Sequence, residues 1–473
     1  VLTWRLLLWV LEPLRETRRP LAAILSLPLV PLGVYAIYPH PIYDSDAILA
    51  VLLALCLLKQ ALGAGTCLPH EPSAFSIPLC FVAGGSCVIP IFFKQNIGGP
   101  FLAAALATIA VLLVQRWRLA GQKSAARELW VVGGAASALS AAVLSLQIVV
   151  GLGNYLHWTV QFAAQRRLPG LAVIVSAYQQ SSLAWALPCA AIGCVLLYPR
   201  TKPSPKLHRI AAIVLLAAPF LWTLASLWIN TDPDDRADQL LSLWAYVLLI
   251  SLPLAALGMR RFSLRSAMPW ILLATIHGTF LSQQLWGSTY AMWPLLLLLL
   301  AGMLVWAQSI AIPLAITASV VLTICGSVYA ASFERLSYIH LDGAIARSSL
   351  PALRGLATPG PWLPGFDELV RFTNTEIPAD QPILLVPGED PFFFATGRVP
   401  EFPVLLFDPA TYPYSPTETV ALARAHGIEW LIVKRQTQLT AAPYDALPAI
   451  TAGLLPDFVP YRRLTLYDVY RRR

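Results

Sequence analysis

Charge is what this sequence has least of. Asp, Glu, Lys and Arg make up only 12% of its 473 residues, against 57% hydrophobic, and the mean hydropathy is +0.65. A chain of this length and apolarity cannot cover a soluble globule with polar surface, so an integral membrane protein is expected. Cysteine is sparse and poorly placed for a framework. Cys56, Cys67, Cys80, Cys87, Cys189, Cys194 and Cys325 lie in or beside apolar runs, without zinc-type pairing, and none follows residue 325. They read as small core side chains, and the C-terminal part has no disulfide scaffold. The sequence lacks a P-loop, a dinucleotide fingerprint and a serine-hydrolase elbow, which removes the chemistries those motifs mark. It also lacks internal repeats, low-complexity tracts and long linkers.

The net charge of +8 does not point to nucleic acid. The basic residues stand in short loops between apolar runs, where they orient helices toward the inside. Arg15, Arg18 and Arg19 form one such cluster, and Arg116, Arg118, Lys123 and Arg127 a second. Arg200, Lys202, Lys206 and Arg209 form a third, followed by Arg260, Arg261 and Arg265. Acids fall between these clusters, at Asp44 and Asp46 and at Asp232, Asp234 and Asp235. Apolar runs are expected to span at 21–38, 47–63, 77–93, 101–114, 129–150, 183–198, 210–229 and 240–259. Two more meet near Trp286 to Thr289, and the last covers 310–330. The total is about eleven complete transmembrane helices, with the N-terminus inside and the tail outside. The segment 151–182 is only partly apolar and suits an amphipathic helix on the outer surface. Residues 1–10 are apolar but too short to span, and read as the end of a helix that begins upstream.

Domain organisation follows from the change in composition near Phe333. Residues 1–332 form the membrane domain and 333–473 a water-soluble one. Short buried strands are expected at 383–386, 404–407, 430–433 and 464–470. A helix over 416–426 is closed by Gly427. Strands alternating with helices make this a small α/β domain. Glu389 and Asp390, before Pro391, read as a helix start.

The candidate chemistry gathers on the outer face. The loop from Pro39 to Asp46 carries His40 and Tyr43 with the carboxylates of Asp44 and Asp46, at the mouth of a membrane body poor in acids. Solvated loop acids are the plain alternative. Lys94 ends a span beside Gln95 and Asn96, unusually polar for so short a turn, with a snorkelling lysine as its alternative. Arg166 and Arg167 stand in an outer segment, where the positive-inside rule disfavours arginine; an anionic lipid phosphate is a reason for the pair. Tyr178 and Gln283 are further substrate-contacting candidates. Acids beside fixed positive charges can deprotonate a nucleophile and stabilise a departing phosphate. The spacing of Asp44 and Asp46 permits a divalent cation, Mg or Mn, without demanding one. His277 reads as a core or interhelical histidine.

Three stretches carry a resemblance: Phe93 to Gly98, Trp158 to Gly170, and Gly287 to Pro294. They resemble bacterial membrane glycosyltransferases of the GT-C superfamily, relatives of the protein mannosyltransferases and of the aminoarabinose transferase of lipid A. The tail, with Pro387 to Arg398, is similar to the periplasmic domain that closes such chains. The resemblance implies an enzyme of the bacterial cytoplasmic membrane with its C-terminal domain extracytoplasmic. It would move a sugar, with inversion, from a polyprenyl-phosphate donor to a lipid, glycan or protein acceptor on the outer face. Asp44 and Asp46 are then the candidate catalytic acids, and Lys94, Arg166 and Arg167 bind the donor phosphate. His40, Tyr43, Gln95, Asn96, Tyr178 and Gln283 contact substrate. In such enzymes the first outer loop usually supplies the base. The pattern therefore also implies a missing N-terminal segment, about thirteen spans in the intact chain, and a secondary role for Asp44 and Asp46. A polytopic transporter or flippase of a lipid-linked or small anionic substrate is the alternative, although the internal symmetry expected of one is not found.

Overall fold

A computed structural model describes the chain apart from residues 39–41, 63–75, 121–124, 162–170, 198–205, 233–235, 237–238, 260–261, 282–288, 332–343, 390, 408–411 and 436–445, and apart from the side chains of 76, 120, 173 and 446. Its contacts divide it into two units, Val1–Leu336 and Ser337–Arg473.

The first unit is helical. Its N-terminal helices are α1 (Leu2–Val10), α2 (Arg18–Ser26), α3 (Leu29–Leu32), α4 (Tyr43–Leu62), α5 (Ser76–Ser86), α6 (Ile89–Phe93), α7 (Gln95–Ala120), α8 (Ala126–Val149) and α9 (Leu152–Leu156). Longer apolar helices follow at Leu183–Leu197, Lys206–Ile229, Ser242–Gly258, Leu264–Thr279, Trp293–Trp306 and Ala311–Ala330. Among the described residues, six helices are long and apolar enough to cross a membrane, and three shorter apolar ones join them. Each helix keeps its backbone donors and acceptors within itself, the condition for crossing hydrocarbon. One apolar core runs through the unit, with Phe101, Trp244, Phe280 and Trp293 fully buried.

Close approach between helices is set by small residues. A Cβ on Gly84 of α5 would lie 1.9 Å from the carbonyl oxygen of Val131 in α8, and one on Gly134 of α8 would lie 1.9 Å from that of Phe81 in α5. The two glycines let the backbones touch, as small residues do where lipid supplies no hydrophobic drive for helix pairing.

Two expectations for this unit are corrected. The span expected over 21–38 is not one helix. Pro28 and Pro31 remove backbone donors, α2 ends at Ser26, and Gly33 leaves α3 in extended conformation. The segment 151–182 is not a single amphipathic helix either. Among its described residues it holds α9, a π-helical turn at His157–Gln161 and a short helix at Leu171–Ser176.

The second unit is a small α/β fold. A hairpin of β1 (Ile345–Arg347) and β2 (Ala357–Pro359) precedes a four-stranded sheet of β3 (Ile383–Val386), β4 (Trp430–Lys434), β5 (Phe458–Arg463) and β6 (Tyr467–Arg472), in the order β3-β4-β6-β5. The β3–β4 pair is parallel and the others are antiparallel. Alternation along β3 sends Ile383 and Leu385 into one core with Phe366 and Leu369 of the Trp362–Glu376 helix. Leu384 and Val386 enter the opposite core with Ala423 and Ile450, from the helices at Pro416–Ala425 and Ala446–Leu454. Period-two side chains covered on both faces thus make three layers. Ser415 and Glu418 cap the Pro416–Ala425 helix reciprocally, and Gly427 follows it at φ +60°.

The strand expected at 404–407 does not form. Phe407 is buried against Phe402, while Leu405 and Leu406 are exposed, so the run anchors a loop by one ring instead of pairing in the ladder. β5 was not expected because only Phe458 in it is buried. The last strand begins at Tyr467 rather than Leu464, since the Leu464 N–H bonds the Tyr467 carbonyl to close the β5–β6 hairpin.

Glu389 does more than start a helix. Its carboxylate, 9% exposed, pairs with Lys434 at 2.5 Å and accepts hydrogen bonds from Tyr467 (2.6 Å) and the Trp362 indole (3.3 Å). Burial beside that carboxylate pushes the Tyr467 phenol far above its usual value.

Candidate functional site

The polar cluster of the membrane unit lies where several helices begin. Asp44 and Asp46 occupy the first turn of α4, where the helix dipole favours carboxylates, and Lys59 stands at its far end. Lys94 joins α6 to α7. Its backbone is extended, and its carbonyl accepts the N–H groups of Ile97 and Gly98, so it caps α7. At the far end of α7 stand Arg116 and Arg118. The acids and Lys94 therefore share the helix ends opposite those basic residues.

Asp44 is 3% exposed and both of its oxygens are engaged. Oδ1 pairs with the Lys94 ammonium, and Oδ2 accepts the Tyr290 hydroxyl at 2.9 Å. The Lys94 Nζ also lies 4.6 Å from the centre of the Tyr43 ring, within cation–π range. Tyr38 packs edge-on against Tyr290, centroids 4.7 Å apart. Asp46 is half-buried and accepts the Tyr35 hydroxyl at 2.5 Å on Oδ1. The Ser45 hydroxyl donates to the Val34 carbonyl at 3.0 Å, which ties the start of α4 to the segment after α3. A buried carboxylate is tolerable only with such partners, because an unpaired charge there would be strongly disfavoured.

The remaining candidates are placed as follows. Gln95 donates to the Tyr155 hydroxyl at 3.4 Å. Asn96 follows it on α7 and lies against the Leu264–Thr279 helix: a Cβ on Gly278 would stand 2.1 Å from the Asn96 carbonyl oxygen. Its side-chain amide nitrogen is buried without a hydrogen-bond partner among the described residues. Tyr178 bonds His277 Nε2, and His277 Nδ1 lies 2.7 Å from the Leu273 carbonyl. A carbonyl only accepts, so Nδ1 carries a proton; in the neutral ring Nε2 is then the acceptor and Tyr178 donates to it. His40, Arg166, Arg167 and Gln283 lie outside the described residues.

Sequence reasoning passed over Tyr290, Tyr35 and Tyr38. Only Tyr290 carried a signal, as part of the 287–294 stretch. For a divalent cation the donors are few. Both Asp44 oxygens are taken, Asp46 adds a single carboxylate, and among the described residues no group of three or more His, Cys, Asp or Glu is arranged to hold a metal. The described residues do not make a cation site.

No family model matches the chain, and no curated protein matches it. The solved structures to which it is similar include the following two. One is the oligosaccharyltransferase of Archaeoglobus fulgidus in complex with zinc and sulfate, at 11% identity and TM-score 0.39, covering 92% of this chain and 55% of that one. The chain thus spans little more than half of that protein's length. The other is ArnT from Cupriavidus metallidurans bound to undecaprenyl phosphate, at 11% identity and TM-score 0.36, covering 99% of this chain and 82% of that one.

Proposed function

We propose that this chain is a membrane glycosyltransferase that moves a sugar from a polyprenyl-phosphate donor to a lipid, glycan or protein acceptor on the outer face, with inversion. The observation that carries the reading is the buried Asp44 held between Lys94 and Tyr290, at helix ends away from the basic residues. In direct displacement at the anomeric carbon, the acceptor hydroxyl must lose a proton and the leaving lipid phosphate must be stabilised.

The two acids divide these tasks. Asp46 has one described partner, Tyr35, and its second oxygen is available to accept a proton or orient a sugar hydroxyl. Asp44 is the positioning group. It holds the Lys94 side chain in place, and the ammonium is proposed to face the donor phosphate. Arg166 and Arg167 are proposed to join Lys94 there, and Tyr43, with His40, to border the sugar. The second unit is proposed to be extracytoplasmic and the membrane unit to span the bacterial cytoplasmic membrane.

Asp44→Asn combined with Asp46→Asn tests the assignment in membranes supplied with a labelled polyprenyl-phosphate sugar. Transfer is expected to vanish in variant protein that still reaches the membrane, with its amount there measured alongside. Normal turnover in that variant would remove both residues from the mechanism.

A further inference from the structure

A second polar site lies wholly within the Ser337–Arg473 unit. A groove of about 640 Å³ opens between β1, the Trp362–Glu376 helix and the end of β5, and its walls carry both acids and arginines. The acids are already engaged by the protein. Asp367 accepts the hydroxyls of Ser348 and Ser349 and the Ser349 N–H, at 2.6 to 2.7 Å. Glu376 pairs with Arg462 at 3.4 Å, and one oxygen of Glu368 accepts the Thr465 N–H at 2.9 Å.

Three of the arginines are held more loosely. The Arg347 side chain makes no hydrogen bond or ion pair among the described residues. Arg371 gives one N–H to the Ser349 hydroxyl at 2.5 Å. Arg463, 76% exposed, approaches Asp468 only at 3.8 Å. A guanidinium presents five N–H donors in a planar fork that matches an oxyanion in two-pronged fashion. The groove thus carries four arginines against three acids, a net positive lining. Hydroxyl-binding groups stand beside them: the second oxygen of Glu368, and the Thr375 oxygen, whose proton is given to the backbone of its own helix.

We propose that this groove binds an anionic saccharide, its phosphate or carboxylate held by Arg347, Arg371 and Arg463 and its hydroxyls by Glu368 and Thr375. The inference does not depend on the transferase reading, because binding is read without turnover. The test uses the full chain in nanodiscs of zwitterionic lipid, titrated with glucose 1-phosphate and, separately, with glucuronate. Saturable binding of at least one probe is expected, weakening as salt is raised. Which probe binds more tightly distinguishes a phosphate from a carboxylate as the anion. Arg371→Gln and Arg463→Gln should each raise Kd roughly tenfold, the loss of one charge-assisted contact. Arg354→Gln, an exposed arginine outside the groove, should leave Kd unchanged. Thermal unfolding of each variant shows whether the domain is intact. Absence of saturable binding to both probes, or equal weakening by Arg354→Gln, overturns the proposal.

Discussion

Tyr290 donates its hydroxyl proton to Asp44 across 246 residues of sequence, while Lys94 closes on the other carboxylate oxygen. The three groups form one buried unit, and removing any member leaves the others short of a partner.

That interdependence has a measurable sign. Lys94→Met should destabilise the membrane unit by about 3–5 kcal/mol, the usual result of leaving a buried charge uncompensated. Adding Asp44→Asn to it should recover part of the loss. Tyr290→Phe, which removes one bond to a charged group, should cost about 1.5–3 kcal/mol. Unfolding in detergent, arranged as a double-mutant cycle, checks all three. Additive losses for Lys94 and Asp44 would show that the pair is not coupled.

A second buried pair lies in the soluble unit. Glu389 and Lys434 are 7% and 9% exposed at their side chains, with Tyr467 and Trp362 on the same carboxylate. Lys434→Met alone should destabilise this unit by about 3–5 kcal/mol, and Glu389→Gln in the same chain should restore part of it. Thermal unfolding followed by tryptophan fluorescence reads the effect, since Trp430 and Trp362 are in this unit.

Asp367 gives the soluble unit an acid limit. Burial pushes its carboxyl upward, but the hydroxyl and N–H of Ser349, the Ser348 hydroxyl and the Arg371 charge outweigh that and hold it below the usual range. A depressed carboxylate contributes stability that is fully present above its unfolded value, about 3.9, and is lost as pH falls through the folded one. Ser349→Ala should therefore lower the melting temperature at pH 7 and flatten its fall between about pH 5 and pH 2. An unchanged pH profile in the variant would mean that these bonds do not set the shift.

Much of the architecture was legible because its signals are local. Long apolar runs bounded by basic clusters marked helices that the structure contains, and short continuous apolar runs marked β3 and β4. Prolines at 28 and 31 were equally visible, yet the run around them is apolar enough to disguise the break. The run at 404–407 failed as a strand because apolar content says nothing about whether a neighbouring strand is there to pair with. β5 failed for the opposite reason: its ladder is made by backbone, and its side chains face water.

By itself the sequence determined the apolar, helical character of most of the chain and the residues able to carry charge chemistry. Hydropathy and charge act residue by residue, so they survive in a one-dimensional reading. The tertiary structure decided which charges meet. It gave Lys94 to Asp44, Tyr290 to the same carboxylate and Tyr35 to Asp46, and it gathered four arginines and three acids around one groove. Such pairings depend on helices and strands brought together from distant parts of the chain, and their energies depend on burial, which no local pattern specifies.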